Sequence, residues 1–285
     1  MSWCRPISNG GCAAMSEQPD ISPRPGLIRR FLDLPTDSVP KTVAVAVTLC
    51  LVASMVVSAA AVTLRPVQEA NALRNKLVNI LQVAGVYDPE VDVLEAFEAF
   101  ETHVLDLETG TFTDRFDPAT FDDAAAAENP ETSVALTDDP AGIGRQARFV
   151  SVYVLRDAAG EIDKVVLPIH GYSLWSTLYG FIAVEENGND IYGLQFYDHA
   201  ETPGLGAEVD NPRWRALWNG QRLFDDDGSL QITVGRTAPA AGADYHIDGL
   251  SGATLTTTGV NNLVRFWMGE TGYAPFLENL RSGEM

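Results

Sequence analysis

The run Asp248-Gly249-Leu250-Ser251-Gly252-Ala253-Thr254-Leu255-Thr256-Thr257-Thr258 gathers a carboxylate, two glycines and a cluster of hydroxyls at the start of a helical stretch. Gly249, Gly252 and Ala253 let a second molecule approach the backbone closely, and the unpaired amides of a helix N-terminus, with their partial positive charge, suit a phosphate. The same residue types also make an ordinary capping region before an amphipathic helix, so local physics alone leaves both readings open. On the second reading Asp248 is the residue that caps the helix. Gly249-Leu250-Ser251 begins like the nucleophile elbow of a hydrolase, with His170, Asp198, His199 and Asp248 as candidate partners. That elbow needs Gly two residues after the Ser, where this chain has Ala253, and it needs a parallel sheet. Gly204-Leu205-Gly206 lacks the third Gly of a dinucleotide fingerprint, so it is not read as a dinucleotide site. Asp225-Asp226-Asp227 is contiguous where calcium ligands must alternate, and it reads as a hairpin turn.

Composition narrows the chemistry further. A net charge of -20 repels nucleic acid and anionic headgroups. The cysteines are Cys4, Cys12 and Cys50, so everything after Cys50 is without a thiol, which excludes disulfides, thiolate-held clusters and a Cys nucleophile there. His103, His170, His199 and His246 have no metal-type spacing.

Among the elements that must position these residues, Thr42 to Leu64 comes first, a stretch of 23 residues with no charge and no proline, flanked by Lys41 and Arg65. As a helix it is roughly 34 Å long against a hydrocarbon core of about 30 Å, and a signal peptide's apolar region is shorter and nearer the start. Arg24, Arg29, Arg30 and Lys41 before the span barely outnumber Arg65, Arg74 and Lys76 after it, a weak lean to an N-terminus inside. Val67, Ala70, Leu73, Leu77, Ile80, Leu81 and Ala84 then recur at spacings of three and four, an amphipathic helix. A second helix is expected from Pro89, capped by Asp88, to about His103, followed by a turn over Asp106 to Gly110. Residues 117–142 read as a long surface loop, with docking of a partner on its acidic face as the secondary reading. Beyond Arg145, apolar runs at Phe149 to Leu155, Val165 to Ile169, Phe181 to Glu186, Ile191 to Tyr197 and Leu230 to Val234 alternate with turn residues, a hairpin signature. Arg213 to Trp218 is a short helix and Thr256 to Met268 a longer one, closed by Gly269. The fold class is therefore α+β: a single N-terminal transmembrane helix followed by an antiparallel-sheet domain. The expected divisions are a flexible tail (1–41), the transmembrane helix (42–64), a helical linker region (65–115), an acidic Ala/Asp/Pro-rich loop (116–144) and the main domain (145–285).

At Asp248 through Thr254 the chain resembles the family of FMN-binding subunits modified by a flavin transferase, whose acceptor motif is Asp, two variable residues, Ser or Thr, Gly, Ala, Thr. The segments Gly171 to Gly180, His199 to Gly206 and Asp210-Asn211-Pro212-Arg213-Trp214 are similar to those of C subunits of sodium-translocating NADH:quinone reductases. What the resemblance implies is FMN held by a phosphoester to Thr254, with Asp248, Ser251, Gly252, Ala253, Leu255 and Thr256 around the attachment point. The ring would lie in a slot formed by Leu174, Trp175, Ser176 and Thr177 with Glu201, Thr202, Gly204, Leu205 and Gly206. A Thr hydroxyl is a poor nucleophile at neutral pH, so attachment needs an activated donor and that separate transferase, and Thr254 is a tether rather than a catalytic base. The implied role is electron relay inside a multi-subunit membrane complex, with the tail cytoplasmic and the domain on the outer face of a bacterial inner membrane. The FMN subunit of the related ferredoxin:NAD ion-pumping complex and a non-redox scaffold are the alternative readings.

Overall fold

The computed structural model describes Pro35, residues 38–238 and residues 242–284. Of the expected tail, only Pro35 and residues 38–41 fall among the described residues. Two compact units divide at Pro66 and Val67. The first is built on helix α1 (Val39–Val83), whose most apolar stretch is wholly exposed and long enough to cross a membrane. The helix continues through Pro66 into the second unit, so the span and the amphipathic stretch after it are one element.

The second unit is organised by a six-stranded antiparallel sheet. Its strands are β1 (Phe100–Asp106), β2 (Thr111–Phe112), β5 (Phe149–Arg156), β6 (Ile162–Tyr172), β7 (Thr177–Glu185) and β8 (Ile191–Asp198), in the order β2-β1-β5-β6-β7-β8. Helices cover both faces, so the central strands read as nearly continuous apolar runs. Val152, Val154, Val165, Leu167, Ile182 and Val184 face a core shared with helices α5 (Thr254–Trp267) and α6 (Ala274–Ser282). Their alternates Tyr153, Leu155, Val166, Phe181 and Ala183 pack on Leu77, Ile80, Leu81, Val83 and Ala84 at the end of α1.

Four expectations need correction. The helix from Pro89 to His103 shrinks to α2 (Val93–Phe97), capped by Asp92, and His103 lies in β1 opposite Val152. Pairing with β5 overrides the local helical spacing there. The acidic segment is not a bare loop: it forms α3 (Asp123–Glu128), capped by Asp122, and a strand β3 (Ser133–Ala135) paired with β4 (Arg145–Ala147). Of the expected strand Leu230 to Val234, Leu230 makes an isolated antiparallel bridge to Phe224, and the strand itself is β9 (Thr233–Gly235), which pairs in parallel with β10 (His246–Asp248). Finally, α5 begins at Thr254, two residues earlier than the spacing suggested. Pro212 opens α4 (Pro212–Arg215), which runs into a 3-10 turn over Ala216–Trp218.

The β5–β6 ladder starts only at Tyr153↔Val166; towards Phe149 the two strands are unpaired. Pro168 has no amide to offer there. The groups that a ladder would have used find other partners: Ser151 N donates to Asp123 Oδ1 at 2.6 Å, Pro168 O accepts from Tyr273 Oη at 2.7 Å, and His170 O accepts from Trp267 Nε1 at 2.6 Å.

Candidate flavin-attachment site

Three loops meet at the start of α5. The first joins β6 to β7, and Ser173 N donates to Ser176 O at 2.9 Å across its tip. The second follows β8 and carries Glu201 to Gly206; Thr202 O accepts from Leu205 N and Ala207 N, and Gly204 has φ +74°. The third is the turn from Gly249 to Ala253 after β10, in which Gly252 has φ +79°.

Glu201 ties them together. Its buried carboxylate accepts from the amides of Leu174 and Trp175, each at 3.2 Å, and from Thr256 Oγ1 at 2.7 Å. Gly206 is packed so closely that a Cβ would overlap Glu201 Oε2 and stand 2.6 Å from Thr256 Oγ1, so this position has no room for a side chain. Ser176 Oγ accepts from Ala200 N at 2.8 Å, fastening the first loop to the second. A Cβ on Gly252 would lie 3.5 Å from Leu205 Cδ2, so the second and third loops also touch.

Thr254 is the first residue of α5 and is exposed. Ala253 stands at the N-cap, and no side chain caps the helix. The capping role considered for Asp248 is therefore not realised. Its side chain is 82% exposed, with Oδ1 3.9 Å from His246 Nε2, while its backbone oxygen accepts from Trp214 Nε1 at 2.8 Å. Ser251 and Gly252 are exposed in the turn, Ala253 is buried, and Leu255 is exposed. Leu174, Trp175, Leu205 and Leu255 present large apolar surfaces to solvent, Trp175 at 62%. Thr177 stands apart from this convergence: it opens β7 opposite Tyr172, and its carbonyl accepts from Ser176 Oγ at 3.2 Å.

Sequence reasoning assigned no role to two supports. Thr257 Oγ1 donates to Ala253 O at 3.0 Å and accepts from Leu250 N at 3.0 Å, bracing the turn before the helix. Trp214 holds Asp248 from α4. The hydroxyl run contained the first and the Asp210-to-Trp214 segment the second, but neither contact is local enough for spacing to reveal.

Residues 173–269 match the FMN-binding domain model. The chain is 46% identical over 255 residues to the C subunit of the Na(+)-translocating NADH-quinone reductase of Yersinia pestis, covering 87% of this chain and 96% of that protein. It is also 46% identical over 257 residues to the C subunit from Pseudomonas aeruginosa, covering 87% and 98%. The crystal structure of Shewanella oneidensis NqrC aligns with a TM-score of 0.67 at 35% identity, over 73% of this chain and 98% of that one. That of the C subunit from Parabacteroides distasonis aligns with a TM-score of 0.58 at 28% identity, over 75% and 96%. Fold and family match thus define a protein with an FMN-binding domain that follows one helix long and apolar enough to cross a membrane. The chain belongs to the family of C subunits of the Na(+)-translocating NADH-quinone reductase.

The residues present fit FMN. An uncapped helix start beside an exposed hydroxyl suits its phosphate, and a glycine without room for Cβ lets Glu201 and Thr256 close behind the site. Apolar side chains of the first two loops are free to meet a flat ring.

Proposed function

We propose that this chain is the electron-relay C subunit of a Na+-translocating NADH:quinone reductase and that it carries FMN as a phosphoester on Thr254. The observation that carries the reading is the placement of Thr254 as an exposed hydroxyl at the uncapped start of α5, in the stretch where motif, helix start and the Glu201-bound loops coincide. In the attachment step Thr254 Oγ bonds to the phosphorus of an activated flavin donor, the donor's leaving group departs with its oxygen, and the hydroxyl proton passes to a base of the flavin transferase. Bound flavin supplies reversible electron uptake.

The chain's residues then have distinct tasks. The free amides at the start of α5 face the phosphate, Gly252 allows the close approach, and Glu201 fixes the loops bearing Leu174, Trp175 and Leu205, which cover the ring. Ser251, Ala253, Leu255 and Thr256 set the shape of the attachment turn. Thr202 and Gly204 set that of the facing loop, and Ser176 and Thr177 anchor the first loop. Asp248, free of any capping duty, is available to orient the Thr254 hydroxyl while the ester forms. Relatives that are themselves C subunits align with 87% of the chain, which favours this reading over the FMN subunit of the ferredoxin-linked complex. With α1 crossing a bacterial inner membrane and the N-terminus in the cytoplasm, the domain stands on the periplasmic side; sodium movement belongs to multi-span partners.

The test is fluorescence of the denatured protein band, with peptide mass analysis, after expression with a flavin transferase. Wild type and Ser251→Ala keep a flavin-bearing peptide and Thr254→Ala loses it. A fluorescent band that persists in Thr254→Ala sinks the assignment.

A further inference from the structure

The helix end at Val83, β8 and α4 line an open cavity of about 300 Å³, bordered by Gln82, Tyr192, Arg215 and Asn219, among others. Arg215 is the group in it whose chemistry is incomplete. Its Nη2 donates to Gln195 Oε1, and its Nε is buried with no hydrogen-bond partner among the described residues. Gln195 offers no charge, and its Nε2 is already committed to Asn79 Oδ1 and to Gln82 Oε1, the latter at 2.7 Å. Among the described residues, the acid acting on Arg215 is Asp210, and only at longer range, because the Asp210 carboxylate is held by His199 Nε2 at 2.9 Å. Burial pushes the Arg215 guanidinium below its ordinary range, as expected for a cation that has lost water without gaining an anion.

A guanidinium offers five donors in a fork matched to a carboxylate. Here one is used on a neutral amide and one is sealed from water, while Arg215 also lines a cavity with room for a small acidic group. The net charge of -20 disfavours a freely diffusing anion, whereas a carboxylate carried on a docked protein is delivered by the rest of its interface. We propose that this cavity is a carboxylate-binding site in which Arg215 receives an acidic side chain of another subunit of the complex. The site depends on the chain being a subunit, not on where the flavin is attached. Because Trp214, the neighbouring residue of α4, holds the backbone of Asp248, a subunit docked on Arg215 would also steady the attachment turn.

Labelling with phenylglyoxal, read by peptide mass, tests the site in the free full-length chain and in the purified complex. Arg222, which bonds to Tyr245 and Asp226, serves as the internal reference. Arg215 should react at least about tenfold more slowly in the complex than in the free chain, relative to Arg222. Acetate added to the free chain should protect weakly; full protection by acetate alone would make the occupant a free anion and overturn the docking role. In parallel, Arg215→Gln should weaken recovery of partner subunits by about tenfold or more while Arg215→Lys retains most of it. Flavin fluorescence at Thr254 and the unfolding midpoint are measured on the same samples, so loss of fold and loss of flavin are each distinguishable from loss of docking. Equal labelling of Arg215 in free chain and complex would overturn the proposal whatever the variants do.

Discussion

Glu201 joins two of the loops that meet at the start of α5 to the helix itself. Its carboxylate is buried and accepts three hydrogen bonds, two from amides of one loop and one from a hydroxyl at the helix start. Replacing it by Ala leaves three donors facing an apolar void, each at a cost of about 1–3 kcal/mol. Glu201→Gln is gentler, because the amide oxygen can serve the two backbone amides while its NH2 donates to Thr256 Oγ1, a hydroxyl that can also accept. The expected order in urea unfolding is therefore wild type, then Glu201→Gln lower by about 1 kcal/mol, then Glu201→Ala lower by about 3 kcal/mol or more, with flavin yield falling in the same order. Equal stability of the two variants would remove the shared-carboxylate explanation. Gly206→Ala approaches the same group from the other side: its Cβ has no place beside Glu201 and Thr256, and overpacking of that kind costs about 1–3 kcal/mol.

Among the elements, α3 shows what composition conceals. Its sequence, Asp-Ala-Ala-Ala-Ala-Glu, looks like solvent-facing filler, yet Asp123 reaches into the unpaired stretch between β5 and β6 and takes the amide of Ser151. The gap depends on Pro168, 45 positions along the chain, and on Tyr273 and Trp267 from the far end of α5 and beyond it, which no local pattern could connect to an acidic loop. Asp123→Ala should lower stability by about 1–3 kcal/mol and speed hydrogen exchange at Ser151, while Asp123→Asn, which keeps an acceptor, changes both less. Unchanged exchange at Ser151 in Asp123→Ala would show that water serves that amide equally well. The hairpins β5–β6 and β7–β8 were legible because long apolar runs are broken by turn residues such as Asn187-Gly188, where Gly188 has φ +64° and Asn187 Oδ1 accepts from Asn189 N. Strand β1 was not, because Val93, Phe97 and Phe100 keep helical spacing up to the point where β5 recruits the backbone. At the site, the attachment turn and its helix could be read locally. Glu201 entered by resemblance, since its bond to Thr256 spans 55 positions of sequence.

For the whole molecule, the useful question is where the flavin domain begins. The most apolar stretch of α1 is wholly exposed, as a membrane span would be, but the last turns of the same helix serve as core for the sheet. Leu77, Ile80, Leu81, Val83 and Ala84 cover Tyr153, Val166, Phe181 and Ala183, and Asn79 and Gln82 satisfy Gln195 on the same face. At about 1.5–3 kcal/mol for each large side chain, removing these turns forfeits roughly 6–12 kcal/mol, comparable with the entire stability of an ordinary domain at about 5–15 kcal/mol. A chain starting at Val67 should therefore be soluble without detergent, melt cooperatively and accept flavin at Thr254. A chain starting at Val86, although it keeps every strand and the whole attachment site, should aggregate or lose its cooperative transition, because one face of the central sheet is bared. Circular dichroism melting of the two chains decides it. Midpoints within a few degrees of each other would mean that the end of α1 is only a stalk, and that the sheet is held from the α5 side alone.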